Sequence, residues 1–169
     1  FTASPDSFGR QRSSNWCWAA DLQTVLRWHG LEVNQEQIVM RAFGGLIDRP
    51  QSASGIAATV NGWTLLDDGR IALVTAESSP LDLLRIRSEL ENDRPPILGL
   101  VNPDGSGGHA YVLTSIVYRI VPSPTTGLQM VPLFVKLRDP WPTNPNFLTL
   151  SWAEAQQRFA GLVFVNVHR

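Results

Sequence analysis

Apolar residues at Trp18, Leu22, Val25 and Leu26 are spaced by four, three and one. That spacing puts them on one face of a helix. It predicts a helix that begins just after Asn15 and stops near Gly30. A second pattern opens at Asn34-Gln35-Glu36-Gln37, where Gln three residues after Asn has the form of a capping box. Ile38, Val39, Ala42 and Phe43 then make a short apolar stripe, ended by Gly44-Gly45. Residues 44–54 are rich in Gly, Pro and Ser and read as a loop. Ser54 is placed to cap a third short helix through Ile56, Ala57 and Val60, ending at Gly62.

Beyond the turn Asp67-Asp68-Gly69 the pattern changes. Ile71–Val74 reads as a short strand. Ser79-Pro80-Leu81 predicts a helix with Pro at its first position, carrying Leu83, Leu84, Ile86 and Leu90 and ending before Pro95-Pro96. Ile97–Val101 is continuously apolar, as a buried strand is. After the Gly-rich loop 102–108, His109–Val121 reads as a long strand, joined through loop 122–129 to an antiparallel neighbour, Met130–Arg138. A Pro/Asn-rich loop follows over 140–149. Ser151-Trp152-Ala153-Glu154 then has the form of a capping box for a helix to about Phe159, and Leu162–Val167 reads as the last strand. The expected fold class is α+β in a single domain over 1–169. A helical half at about 15–65 packs against an antiparallel β-sheet half at about 70–169.

Chemistry-bearing residues fall at the joints of this pattern. Cys17 is the only cysteine and sits in the first turn of the first helix, where free backbone N–H groups and the helix dipole favour a thiolate. A single cysteine excludes an internal disulfide and any thiol-rich zinc site, and the three histidines show no metal-ligand spacing, so neither metal nor cofactor is expected. His109 opens one strand and Asp139 follows the end of the next. A hairpin therefore brings them to the same sheet edge. Gln11 lies six residues before Cys17, in a polar arm over residues 1–14. His29, at the end of the first helix, suits the dipole as a cation. His168, near the chain end, is expected to be exposed.

Gln11, then Cys17-Trp18-Ala19, then a Gly-rich approach to His109, then Asp139-Pro140-Trp141: in this order the sequence resembles the papain-like cysteine peptidases. It is closest to their compact bacterial branches, the staphopain-like, effector-type and C39-like enzymes. Two positions depart from the larger relatives. Asp139 stands where many carry Asn, and Trp16 stands where a small residue is usual. The resemblance implies a cysteine endopeptidase in which Cys17 is the nucleophile, His109 the base and Asp139 the group that orients the base. The side chain of Gln11 and the backbone N–H of Cys17 would form the oxyanion hole. Trp16 is expected to line the substrate cleft, and Trp141 to line it or to shield the histidine–aspartate pair. The same residues would also serve deamidation, isopeptide cleavage or acyl transfer, or persist in a binding module that no longer turns over.

Composition narrows the partners. The chain is 43% hydrophobic and 17% charged with net charge −1, which gives no electrostatic case for nucleic acid. No apolar run approaches the ~20 residues of a membrane span. A monomer acting on a protein or peptide is expected. The start at Phe1 suggests a processed form or an excised domain of a secreted bacterial effector or toxin, for which a cognate inhibitor or immunity protein is conceivable.

Overall fold

The computed structural model describes residues 9–169, so most of the arm expected over 1–14 lies outside the described residues. The elements are α1 (Cys17–Trp28), α2 (Gln35–Phe43), α3 (Ala53–Val60), β1 (Trp63–Asp67) and β2 (Arg70–Ser79). They continue with α4 (Leu83–Glu91), β3 (Ile97–Val101), β4 (Gly108–Ser123), β5 (Gly127–Arg138), β6 (Phe147–Ser151), α5 (Trp152–Arg158) and β7 (Phe159–His168). The strands form one antiparallel sheet in the order β1-β2-β7-β3-β4-β5-β6. The α+β class is as the sequence led us to expect.

The period-two alternation of the strands divides the core between two faces of this sheet. Ala110 and Val112 of β4, and Val163 and Val165 of β7, join Ala72, Val74 and Ile97 against α1, α2 and α3. Their chain neighbours Tyr111, Leu113, Leu162 and Phe164 point the other way. They pack with Leu98, Leu100, Val135 and Leu137 against Ile86 of α4 and Ala155 of α5. The stripe Trp18, Leu22, Val25 and Leu26 is buried at 1% exposure or less, which fixes α1 across the sheet. Gly44 ends α2 at φ 71°, a left-handed conformation that a side chain disfavours.

Several boundaries differ from expectation. The third helix is capped by Ser52, whose hydroxyl accepts from Gly55 N–H at 3.2 Å, and not by Ser54. Ser79 is still in β2, paired with Leu162, and Pro80 follows as a bend outside both strand and helix, so no helix opens at Pro80. The cap of α4 is Asp82, which accepts from Arg85 N–H at 3.1 Å. β1 is not among the expected strands: it begins just past Gly62, the expected end of the third helix, and straddles the boundary placed at about 65 between the two halves. It is an edge strand of alternating partial burial and exposure, too short and too exposed for a clear pattern. The β4–β5 hairpin pairs as far as Ser123 and Gly127, well into the expected loop, and β6 takes the end of the 140–149 loop. β7 lies inside the sheet, between β2 and β3.

Candidate active site

Cys17 is the first residue of α1, partly exposed at the cleft. Trp16 precedes it as the N-cap, and its side chain takes none of the first-turn N–H donors. His109 is the second residue of β4. Asp139 follows β5 directly, and the Val112–Arg138 register brings it back toward the start of β4. The hairpin thus does what its connectivity required. His109 Nε2 lies 2.8 Å from Asp139 Oδ1, and Cys17, which lines the same pocket as His109, is near enough to help raise the histidine's pKa. With Nε2 given to Asp139, the nitrogen left for Cys17 is Nδ1.

Both charged forms are favoured. Burial opposes a charge on His109, but the hydrogen bond to Asp139, the nearness of Cys17 and the nearby negative charge outweigh it, and its pKa is pushed up to about 9. Burial likewise opposes charge on Asp139. Hydrogen bonds from His109, Trp141 N–H and Asn144 outweigh that cost and hold the carboxyl below its usual range. Trp141 N–H donates to Oδ1 and Asn144 Nδ2 to Oδ2, each at 2.9 Å. Tyr111 stands edge-on to the imidazole, with ring centroids 4.7 Å apart.

The other expected residues are placed as follows. Gln11 is buried beside the 140–143 loop, its backbone N–H donating to Pro140 O at 2.8 Å. Its Nε2 donates to Ser13 O and Ser14 O at 3.0 and 2.9 Å, while Oε1 has no partner among the described residues. Trp16 does not line the cleft. It is 5% exposed and part of the core, with its indole N–H donating to Ile47 O. The indole N–H groups of Trp16 and Trp18 both donate to a segment that the sequence read as loop, at Ile47 O and Arg49 O. Trp141 is 38% exposed and lines the polar side of the cleft with His109, Tyr111 and Asn144. His29 departs from expectation: burial, then the charges of Arg169 and Arg94, push its pKa down, so it caps α1 without favouring the cationic form. His168 is exposed, with Nε2 2.8 Å from Thr75 Oγ1.

On the other side of Cys17 lies an apolar pocket of about 310 Å³, walled by Pro50, Ala53, Ile56, Ile97, Ala160 and Val163. Gly99 and Gly161 leave it open, since a Cβ on Gly161 would stand 2.5 Å from Ala53 Cβ. Sequence reading missed Asn144 and Asp21. Asp21 lies one helical turn beyond Cys17 on α1, at 2% exposure, with Oδ2 unpartnered among the described residues. Burial, then the neighbouring Cys17 and Asp139, push its pKa well above the carboxylate range, against Arg138. A carboxylate at i+4 from the nucleophile, between Trp18 and Leu22, was the available signal.

A cysteine in the first turn of a helix, beside a histidine–aspartate pair on an antiparallel sheet, is the arrangement of a papain-like cysteine peptidase, a hydrolase. The chain belongs to the family described as papain-like cysteine protease AvrRpt2, whose model matches residues 4–158. Its fold is similar to the peptidase domain of Streptococcus ComA, described as a bifunctional ABC transporter involved in a quorum-sensing pathway. The TM-score is 0.57 and the identity 17%, over 94% of each chain. No curated protein sequence matches the chain.

Proposed function

We propose that this chain, as one domain, is an endopeptidase that hydrolyses peptide bonds of a protein target through Cys17, His109 and Asp139. The observation that carries the reading is His109, bonded to Asp139 through Nε2 at 2.8 Å and lining one pocket with Cys17. Cys17 Sγ attacks the peptide carbonyl carbon, and the carbonyl oxygen takes the negative charge. The Cys17 N–H and the Gln11 amide would hold that oxygen, Gln11 exchanging one of its carbonyl acceptors for it. The C–N bond then breaks, and the leaving amine takes the proton from His109. Water attacks the thioester and gives a proton to His109, the C–S bond breaks, and the acid product departs. Asp139 keeps the imidazole oriented and its charged form stabilised throughout.

Incubation with candidate protein substrates, read by intact mass, tests this. The expected result is chain cleavage that disappears in Cys17→Ala and His109→Ala. A mass change of deamidation or conjugation without cleavage would reassign the same thioester chemistry. Cleavage retained in Cys17→Ala would overturn the reading. Delivery as an effector or toxin domain rests on family resemblance alone; a cell-intoxication assay comparing the parent with Cys17→Ala tests it.

A further inference from the structure

Residues 46–50 cross one rim of the cleft without regular secondary structure, every one of them exposed. Yet Pro50 of this strap lines both the apolar pocket and the polar side of the cleft. Burial does little to hold such a segment, so polar contacts set its position. Four hydrogen bonds do this, all from residues flanking the nucleophile. Ser14 Oγ donates to Asp48 Oδ2 at 2.7 Å and Asn15 N–H to Asp48 Oδ1 at 2.8 Å. Trp16 Nε1 donates to Ile47 O at 2.9 Å and Trp18 Nε1 to Arg49 O at 3.0 Å. Both neighbours of Cys17 are thus tied to the strap while Cys17 itself is left to the cleft. Asp48 receives two of the four bonds, the two that involve an ionised acceptor and are the stronger for it. They hold its carboxyl below the usual range.

We propose that Asp48 is a positioning residue for the peptide substrate: its carboxylate locks the 46–50 strap to the turn before Cys17 and so fixes Pro50 as the rim of the cleft. The proposal rests on the reading of Cys17 as nucleophile. Its consequence is a separation of two reactivities. A small electrophile needs only the thiol and His109. A peptide must also settle against the rim.

The experiment compares iodoacetamide with a peptidyl acyloxymethyl ketone carrying leucine next to its reactive residue. Both label the single cysteine, followed by intact mass in the parent, Asp48→Ala, Asp48→Asn, Ser14→Ala and the Ser14→Ala/Asp48→Ala double variant. Asp48→Ala is expected to react with iodoacetamide within about twofold of the parent. Its half-saturating concentration of peptidyl reagent should rise about tenfold with the limiting rate kept. Asp48→Asn, which keeps one acceptor oxygen, should fall between. Ser14→Ala should raise the same constant less and add little in the double variant, because both changes remove one shared bond. Equal half-saturation in the parent and Asp48→Ala overturns the proposal. So does a proportionate loss toward both reagents, which would put the effect on Cys17 itself, or a parent rate that does not saturate with the peptidyl reagent. A parent whose iodoacetamide labelling is indifferent to His109→Ala refutes the nucleophile reading first, and the proposal falls with it.

Discussion

His109 and Asp139 make stability depend on pH in opposite directions. His109 has a folded-state pKa of about 9 against 6.5 for the free side chain. Its contribution is therefore full below about 6.5 and is lost as pH rises through about 9, for a total of about 3 kcal/mol. Asp139 is held below its ordinary 3.8. Its contribution is present above that value and fades as pH falls through the lower folded value. Urea unfolding of the parent and of His109→Ala should give a stability gap that closes between neutral pH and pH 9. Asp21 runs the other way, because its folded-state pKa is raised. An acid of this kind favours the folded state when protonated and costs stability once pH passes its ordinary range. Asp21→Asn should therefore be more stable than the parent at high pH, with the advantage shrinking toward pH 4; parallel melts at the two extremes check it.

At the scale of elements, the sequence was legible where a single period governs a segment. The α1 stripe, the Asn34–Gln37 capping box and the Ile97–Val101 run each became the element they resembled, because side-chain periodicity and burial agree there. The positions of Cys17, His109 and Asp139 at element joints were legible for the same reason. What was not legible depends on the path of irregular chain. Trp16 lies off the α1 stripe, yet it joins the core and donates to Ile47 O of the irregular 46–50 segment, a path that no periodicity marks. Asn144 meets Asp139 through a loop whose turn has no period to read. Gly161 is a further case, a glycine in a strand whose reason is the approach of α3. Gly161→Ala brings a Cβ to 2.5 Å from Ala53 Cβ. It should cost roughly 1–3 kcal/mol by overpacking, seen as a lower unfolding midpoint together with slower capture of peptidyl reagents.

Across the whole molecule, the site depends on segments far apart in sequence held by a few buried polar groups. Gln35 of α2, at 1% exposure, is one. Its Nε2 donates to Arg10 O at 2.7 Å and to Gln23 Oε1 at 3.0 Å, and its Oε1 accepts from Arg12 N–H at 3.0 Å. The backbone on both sides of Gln11 is thereby fastened to a helix that carries none of the reacting groups. Gln35→Ala should lower stability by about 1–3 kcal/mol. It should also open residues 9–14 to limited proteolysis, with cuts mapped by mass.

The place of β7 bears on when the cleft becomes complete. This strand follows every other described element in the sequence, yet it fills the gap between β2 and β3 and brings Ala160, Gly161 and Val163 to the pocket beside Cys17. Until it inserts, β3 has no partner on that side and the pocket lacks a wall. Such long-range strand pairing is slow to form. Cys17, His109 and Asp139 thus all lie on segments that precede β7 in the chain, and the pocket beside Cys17 is complete only once the sheet has closed.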